Sequence, residues 1–516
     1  MRSSQRGTWF MGIDLGTGSC KSVVVDAHAR VIGFGACGYT SVNSDSLWSE
    51  QDPDALVEAM VCSVRDAIHA AIEREGISPG ACGGVSLGGA YHSIMAVDTA
   101  GEPLTGVITW VDGRAAPQAE VVRRTHDAQK IYQQTGCPVH AMYPLYKLIW
   151  LREERPQVFD QAARFISGKE YALAHLTGEY LVDIGIAAGT GLLNTHTYNW
   201  DPLSLELAGI TPDRLATLCS PTQIVRNLNP DLANQMGIPE DTPLVVGSAD
   251  AVNSSLGAGA VMAGHATCMV GTSGAFRIIA DQPVLDHKTR TYCYAIDHGH
   301  WLVGGAINNG GLALSWFREV LNQMLKGASG GAQLSFEEMI DLAGQVKPGA
   351  DGLICLPFLA GERSPYWNMN ARGVFFGLTL RHDIGHMSRA LMEGVAFRLC
   401  SLKNALLETG VEVEQIFASG GFTRSDLWLQ IVSSVMDRDL LVPEWGETSS
   451  LGAAFWALMG SGVVKSFDNL ANLVPIDKTH SPDSQDAELY DKLFSIYMDL
   501  YFSLGESFDR IAELST

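Results

Sequence analysis

The sequence predicts an α/β protein of two lobes, in which a duplicated domain builds a mixed sheet in each lobe and a cleft lies between them. Three observations support this prediction. The chain has 516 residues, and single hydrophobic cores stop growing near roughly 250–300 residues. Apolar strand patterns alternate with long helical patterns, which is typical of sheets covered on both faces. A strand–turn–strand segment also recurs about half a chain later.

The recurring segment can be read directly from the sequence. Met11–Asp26 reads MGIDLGTGSCKSVVVD, and Thr267–Asp281 reads TCMVGTSGAFRIIAD. Each contains an apolar strand, a Gly-Thr pair, small polar residues and a second apolar strand, and the two Gly-Thr pairs are 255 residues apart. A repeat of such long period indicates a duplicated domain, although a match this short also arises by chance.

The repeat divides the chain into an N-terminal lobe at 9–256, a C-terminal lobe at 260–482 and a tail at 483–516 that is expected to be one closing helix. Buried strands are expected at Val85–Leu87, Pro243–Gly247 and Gln415–Ser419. Apolar periodicity predicts helices at Pro53–Arg74, Leu145–Glu154, Lys169–Thr177, Leu312–Leu325, His386–Thr409, Arg424–Val435 and Thr448–Met459.

Composition and charge argue against several classes of partner. A formal net charge of −22 repels nucleic acid and anionic lipid. No apolar run reaches the roughly 18 residues of a membrane span, and the polar N-terminus does not fit a signal peptide. The ten cysteines are scattered and form no Cys-x-x-Cys pair, which is typical of a reducing compartment. We therefore expect a cytoplasmic protein with no nucleic-acid or membrane partner, and the sequence leaves a homodimer open.

The first Gly-Thr turn has the composition of a phosphate-binding loop. Dinucleotide and P-loop motifs must open a helix, whereas Ser22–Val25 is a β-branched run, so the segment is a hairpin and a nicotinamide dehydrogenase is excluded. The turn Gly16–Gly18 can offer amides and hydroxyls to phosphate oxygens, and Asp14 can hold Mg²⁺ through water. A single copy would favour an ordinary hairpin turn, but the second copy at Gly271–Ser273 favours phosphate binding.

Asp250 lies at the boundary between the lobes, after an apolar strand and before the small-residue start of a helix. A carboxylate at this place faces the cleft, where phosphoryl transfer to an alcohol needs an acceptor for the hydroxyl proton. Asp is also a preferred helix N-cap. Its position alone leaves the base and the cap equally open.

Other polar groups follow glycine-rich strand ends. After Gly88-Gly89 come Tyr91 and His92, which are interpreted either as ligand contacts or as structural residues. Trp110 offers a flat face to a sugar, with Asp112 and Arg114 beside it, unless the segment is a surface turn with a salt bridge. Gly420-Gly421 allows adenine to approach the backbone, or it forms a tight strand–helix turn.

These motifs together resemble the FGGY carbohydrate kinases, within the actin-like (ribonuclease H-like) ATPase fold, over essentially the whole chain. The signatures are Met142–Glu154 and Gly373–Leu378 followed by His386–Glu393. Within the family the chain is most similar to gluconate kinases, through Pro138–His140, Lys169–Tyr171, Tyr292–Tyr294, Gly304–Gly311 and Leu359–Trp367. Gluconate kinases usually have Met at the position of Tyr91 and Asn at the position of Gly113. Both positions are expected near the sugar pocket, so these departures concern the identity of the substrate rather than the phosphoryl-transfer chemistry.

The resemblance implies an ATP- and Mg²⁺-dependent kinase that phosphorylates a small carbohydrate, with D-gluconate as the first choice. It implies that Asp250 is the catalytic base and Asp14 the metal-proximal carboxylate. Nucleotide-binding residues are expected at Asp14, Gly16, Thr17, Gly18, Lys21, Gly271, Thr272, Ser273, Gly311, Ser315, Gly420, Gly421 and Ser425. Sugar contacts are expected at Tyr91, His92, Trp110 and Asp112, and a substrate carboxylate needs a cation, for which Arg114, Lys169 and Lys147 are candidates.

Two alternatives remain at this stage. One is a kinase for a neutral sugar such as D-xylulose, which shares the reaction and differs only in the acceptor. The other is a non-catalytic ATP-binding switch, as among actin-like and chaperone proteins. The acid at Asp250 beside an apparent sugar pocket argues against the switch.

Overall fold

The computed structural model describes residues 7–42, 48–326 and 333–514. The strands of the first half are β1 (Trp9–Leu15), β2 (Ser19–Asp26), β3 (Val31–Gly38), β4 (Ser41–Val42), β5 (Glu50–Gln51), β6 (Cys82–Gly89), β7 (Met95–Val97), β8 (Val107–Ile108), β9 (Arg164–Ile166), β10 (Leu181–Asp183), β11 (Thr217–Cys219), β12 (Ile224–Val225) and β13 (Leu244–Val245). Its helices are α1 (Pro53–Glu75), α2 (Ala116–Thr125), α3 (Ala128–Thr135), α4 (Pro144–Glu154), α5 (Pro156–Gln161), α6 (Gly168–Thr177), α7 (Ile184–Ala188), α8 (Pro202–Ala208), α9 (Pro230–Met236) and α10 (Asp250–Gly257).

The second half contains β14 (His265–Val270), β15 (Gly274–Ala280), β16 (Tyr292–Ala295), β17 (Trp301–Ile307), β18 (Ile354–Leu356), β19 (Val374–Phe376), β20 (Gln415–Ser419), β21 (Leu440–Pro443) and β22 (Ile476–His480). Its helices are α11 (Gly311–Lys326), α12 (Phe336–Gly344), α13 (Ile384–Leu407), α14 (Asp426–Met436), α15 (Thr448–Gly460), α16 (Phe467–Leu470), α17 (Ser484–Ser503) and α18 (Gly505–Leu514).

Each half is built on one large mixed sheet, and the two sheets have the same plan. The first has the order β3-β2-β1-β6-β13-β12, and the second contains β17-β15-β14-β20-β21-β22, with β16 added outside β17. In both series the successive pairings are antiparallel, antiparallel, parallel, parallel and antiparallel. This agreement strand by strand confirms the α/β class with mixed sheets and supports the duplication that the short sequence repeat suggested.

Helices α10 and α15 cross at the boundary between the halves, and glycines allow their backbones to touch. A Cβ atom on Gly452 would lie 1.8 Å from the Asn253 carbonyl oxygen, and one on Gly257 would lie 1.9 Å from the Thr448 carbonyl oxygen. In addition, α15 packs on the first sheet, because a Cβ on Gly12 in β1 would lie 2.2 Å from the Ala454 nitrogen. A helix from late in the chain therefore lies beside the strand that carries Asp14.

The predicted helices agree with the observed ones to within about two residues at each end, since local capping signals define them. Helix α1, for example, begins after Asp52, whose side chain accepts from two backbone N–H groups, and ends at Gly76 in the left-handed conformation. The tail prediction was wrong: α17 ends at Ser503 and a separate helix, α18, begins at Gly505. Among the helices of the described ranges, none combines the length and the apolar composition that a membrane span requires.

Candidate active site

Both Gly-Thr segments form hairpin turns, as predicted, and neither opens a helix. The first turn joins β1 to β2, and the Gly16 N–H donates to the Ser19 carbonyl at 3.1 Å. The second joins β14 to β15, and the Gly271 N–H donates to the Ser273 carbonyl at 2.9 Å. Tyr39 supports the first turn, since its hydroxyl donates to the Gly16 carbonyl.

The start of α11 supports the second turn through backbone contacts. The Gly310 and Leu312 N–H groups donate to the Thr272 carbonyl, at 3.1 and 3.0 Å, and the Gly311 N–H donates to the Gly271 carbonyl at 2.7 Å. A Cβ atom on Gly310 would lie 2.3 Å from the Ser273 carbonyl oxygen. The turn therefore keeps its conformation only while position 310 is glycine.

Gly310→Ala is accordingly expected to raise KM for MgATP and to lower thermal stability, because overpacking against rigid backbone typically costs about 1–3 kcal/mol. Steady-state kinetics and thermal unfolding would measure both effects. Gly80→Ala is the matched control, because its new methyl group would meet only the Ser78 hydroxyl, at 3.9 Å. Unchanged KM for MgATP in a folded Gly310→Ala protein would mean that the second turn does not contribute to nucleotide binding.

A first cavity of about 240 Å³ lies between the two turns. Predicted site residues from five separate segments of the chain line it. They are Thr17, Tyr91, His92, Trp110, Asp250 and Ser273. Folding thus places the two turns and the boundary carboxylate around one space the size of a small metabolite.

Asp250 is the first residue of α10, and the cap position before it is occupied by Ala249. The Asp250 carboxylate accepts the Ala251 N–H at 2.7 Å and also accepts the backbone N–H of Tyr91. Burial raises the pKa of this carboxyl, while the nearby charge of Arg277 lowers it in part. Asp250 is therefore a cavity carboxylate rather than a helix cap.

Asp14 lies at the end of β1 and is buried. Burial raises its pKa to about 7, the charge of Asp250 adds to this rise, and the nearby Ser449 hydroxyl opposes it. Its Oδ1 atom has no hydrogen-bond partner among the described residues. A buried carboxylate oxygen without a partner, close to a second carboxylate, fits a hard cation such as Mg²⁺, which takes one or two carboxylates together with phosphate oxygens and water.

Asp14→Asn is expected to stabilise the ligand-free protein while abolishing most activity. The pKa of Asp14 in the folded state lies above that of an ordinary aspartate, so ionisation of Asp14 disfavours the folded state, and this cost grows as pH rises toward about 7. The difference in Tm between variant and wild type should therefore widen between about pH 5 and about pH 7 and stay level above it. A variant that is less stable than the wild type at about pH 8 would contradict a poorly compensated charge at Asp14.

Lys21 lies directly across the hairpin from Asp14, as its strand partner in the register of β1 and β2. Its ammonium forms a 2.6 Å ion pair with Glu447, which precedes α15. The Ser449 hydroxyl, in the first turn of the same helix, donates to the Asp250 backbone carbonyl at 3.2 Å. Glu447 and Ser449 were absent from the predicted set, and no local sequence signal connects them to Asp14, because a helix packing across the boundary brings them there.

Aromatic rings form one wall of the first cavity. The Tyr91 and His92 rings are stacked with centroids 5.1 Å apart, and His92 Nδ1 is 2.5 Å from the Gly189 carbonyl oxygen. Burial lowers the pKa of His92 to about 3, so the ring is neutral. The Trp110 indole N–H donates to the Thr17 hydroxyl at 3.0 Å, which connects this wall to the first turn.

The predicted cations do not line the cavity, because each has other partners. Arg114 pairs with Asp112 and Glu50, both at 2.7 Å. Lys169 pairs with Asp183 at 2.5 Å. Lys147 donates to two backbone carbonyls. Asp112, Arg114, Lys147 and Lys169 therefore lie behind the cavity walls in this structure.

Two arginines that sequence reasoning missed line the cavity instead. Arg277 follows the second turn in β15, and Arg363 lies in the loop after β18. A signal for Arg277 was present, since a cation inside the apolar strand GAFRIIA needs a reason to be there. Arg363 stood within the stretch Leu359–Trp367 but was not singled out. Tyr292, Tyr294 and Trp367 from the second half complete the wall.

A second cavity, of about 350 Å³, lies on the other side of the β14–β15 turn. It is lined by six of the residues expected to contact nucleotide, namely Gly271, Thr272, Gly311, Ser315, Gly421 and Ser425. Phe336 and Ile340 of α12 add apolar surface. Gly420 adopts φ = 91°, and a Cβ atom there would lie 2.6 Å from the Val270 carbonyl oxygen, so it allows the strand end to approach this turn.

Two family models match the chain. The N-terminal domain model of the FGGY family of carbohydrate kinases matches residues 9–257, and the C-terminal domain model matches 266–461. The gluconokinase of Bacillus licheniformis is 37% identical over 507 residues, with 98% of both chains covered. The xylulose kinase of Bacillus subtilis (strain 168) is 27% identical over 498 residues, with 96% of both chains covered.

Solved structures give the same picture of the fold. The crystal structure of gluconate kinase from Lactobacillus acidophilus matches with a TM-score of 0.91 at 32% identity, covering 98% of this chain and 99% of that one. The ligand-bound xylulose kinase of the same organism also matches with a TM-score of 0.91, at 31% identity, covering 98% and 100%. These matches confirm the two-lobed actin-like fold.

Proposed function

This chain belongs to the FGGY family of carbohydrate kinases, and from that premise we propose that it transfers the γ-phosphoryl group of ATP to D-gluconate. Carbohydrate kinases use ATP as phosphate donor, generally with Mg²⁺. The family therefore accounts for the reaction class, and the proposal concerns the acceptor and the residues that act on it. The gluconokinase relative at 37% identity favours a sugar acid.

The observation that carries the choice of a sugar acid is the pair of buried arginines in the first cavity. Within the described residues, the other buried arginines each pair with a carboxylate, whereas Arg277 and Arg363 form no ion pair. The Arg277 Nε–H donates to the Tyr292 hydroxyl at 3.1 Å, and no hydrogen bond from its two terminal nitrogens is found in the described part of the chain. Its guanidinium therefore keeps a free edge for a ligand.

Arg363 contributes a second positive charge to the lining of the first cavity. Its guanidinium carbon is 4.5 Å from the centre of the Trp110 ring, and one terminal nitrogen donates to the Ile307 carbonyl at 3.3 Å. Burying a charge without a partner is unfavourable. An anionic acceptor would relieve that cost, whereas a neutral ketose would leave both cations unpaired, so the cavity favours a carboxylate substrate with Arg277 as its main partner.

In the proposed reaction Asp250 accepts the proton of the C6 hydroxyl while that oxygen forms a bond to the γ-phosphorus of ATP. The bond from this phosphorus to the β–γ bridging oxygen breaks, and ADP leaves. Backbone N–H groups of Tyr91 and Ala251 orient the Asp250 carboxylate. Mg²⁺, when bound near Asp14, supplies positive charge to the phosphate oxygens.

The nucleotide is assigned to the second cavity in this proposal, with its phosphates directed toward the Gly271–Ser273 turn. Such a placement leaves the γ-phosphate near Ser273, which also lines the first cavity. Hairpin amides then act as the local anion site that a chain with net charge −22 requires. The cytoplasmic location and the homodimer stay predictions.

The proposal is tested by measuring ADP release with a panel of acceptors at saturating MgATP. The panel contains D-gluconate, other sugar acids, D-xylulose, D-ribulose and glycerol, each compared by kcat/KM. Gluconate is expected to exceed every neutral sugar. A higher kcat/KM for D-xylulose would replace the proposed acceptor with the xylulose alternative and leave the family assignment intact.

A further inference from the structure

Lys147 in α4 is fully buried, and its ammonium forms no ion pair among the described residues. The Nζ atom donates to the His92 carbonyl at 2.8 Å and to the Thr109 carbonyl at 2.7 Å. Burial lowers its pKa to about 7. Even a neutral amine keeps two N–H donors, which is the number these two carbonyls require, so the contacts do not depend on the charge.

The two carbonyls belong to the two strand ends that carry aromatic residues into the first cavity. His92 has a positive φ of 62°, a conformation that ordinary residues adopt only when their surroundings hold it. Thr109 immediately precedes Trp110, which contacts both Thr17 and Arg363. One buried amine therefore connects the His92 turn to the segment that leads into Trp110.

We propose that Lys147 is a positioning residue for the acceptor cavity, which holds the His92 turn and the Trp110 segment at a set separation through their carbonyl oxygens. This inference rests on the proposed function for the identity of the cavity as the acceptor site. Lys147 itself does not line the cavity, so its effect reaches the acceptor through His92 and Trp110. Misplacement of a reacting group by about 1 Å can cost roughly 10²-fold in rate.

Lys147→Met is expected to lower kcat/KM for the acceptor by about 10- to 100-fold and to leave KM for MgATP within about twofold of the wild type. Lys403→Met is the control, since Lys403 in α13 also donates to a backbone carbonyl, that of Met436 at 2.7 Å, and lines neither the first nor the second cavity. The control should change neither constant. An equal rise in both KM values for Lys147→Met would indicate general loosening of the lobe and would overturn the proposal.

A double-mutant cycle separates positioning from stability. If Lys147 acts through His92, its loss should reduce kcat/KM much less in a His92→Ala background than in the wild type. The same cycle is run in a Trp110→Ala background, because Lys147 also holds the segment that leads into Trp110. Full multiplication of the effects in both backgrounds would contradict the proposal. Lys147→Gln serves as a second variant if Lys147→Met does not fold, and failure of both to fold would assign Lys147 to stability alone and overturn the positioning role.

The assay uses whichever acceptor the wild-type protein phosphorylates fastest. A wild-type protein that phosphorylates another sugar but not gluconate would contradict the proposed acceptor. The Lys147 experiment could still be done with that other sugar. Selective loss of acceptor kcat/KM in Lys147→Met would support positioning for any acceptor.

Discussion

Asp250→Asn is expected to lower kcat by about 10²–10⁴-fold, the usual range for the loss of a general base, while MgATP binds nearly as in the wild type. Asparagine keeps the shape of the side chain, and its amide oxygen still accepts a backbone N–H from Ala251 or Tyr91. It has no basic oxygen for the proton of the acceptor hydroxyl. Asp250 lines the first cavity and not the second, so the nucleotide contacts should persist.

The measurement is the single-turnover rate at saturating acceptor, together with the Kd of a nonhydrolysable MgATP analogue. Asp201→Asn provides the control, because Asp201 is a fully buried carboxylate that caps α8 and lies outside both cavities. That variant should lose some stability and keep its rate. A folded Asp250→Asn protein with near-normal kcat would rule out Asp250 as the base.

Arg277→Met is expected to lower kcat/KM for gluconate by about 10²–10⁴-fold, because a buried carboxylate left without its partner costs about 3–5 kcal/mol. Neutral acceptors should lose far less, since they have no carboxylate to pair with Arg277 and share only the effect of its charge on the pKa of Asp250. The argument rests on the position of Arg277, whose guanidinium lines the cavity, contacts the Tyr292 hydroxyl and forms no ion pair in the described ranges. A ratio of gluconate to xylulose kcat/KM is the readout.

The ratio of kcat/KM values is measured with both acceptors on the same protein preparation, so a general loss of folded protein cancels from the ratio for each variant. Arg277→Lys should restore part of the gluconate activity, since it keeps the charge but not the planar fork that matches a carboxylate. Arg363→Met should have a smaller effect on selectivity, as Arg363 also packs on Trp110. Equal losses for gluconate and xylulose in Arg277→Met would falsify the role of Arg277 in acid selection.

The two-lobed α/β fold and most long helices were predictable, because strand alternation, helix caps and the recurring Gly-Thr turn depend on residues that are neighbours in the sequence. The tail was misread as one helix, since its apolar pattern continues across Leu504, where α17 ends and α18 begins. The packing of α15 on β1 was not predictable either, because it depends on close contacts at Gly12 and Gly452.

The candidate site was predicted in part. Residues at strand ends, such as Thr17, His92 and Ser273, do line the first cavity, because strand ends of both sheets border this cavity. The cations that were expected to contact a substrate carboxylate do not line this cavity. Arg114 and Lys169 have the right charge, but carboxylates already pair with them. The salt bridge of Arg114 with Asp112 is the alternative that the sequence offered for that segment, whereas no sequence pattern indicates the pairing of Lys169 with Asp183.

The elements and the duplicated hairpins follow from contacts between near neighbours, and the residue types that phosphoryl transfer needs are visible in the chain, so these could be predicted without the structure. Which charges lack a partner depends instead on how the whole chain packs. Within the described residues Arg277 and Arg363 line the first cavity and form no ion pair, whereas Arg114 is paired with Glu50 and Lys169 with Asp183, because ion pairing acts over a few ångströms and folding brings together charges from different elements.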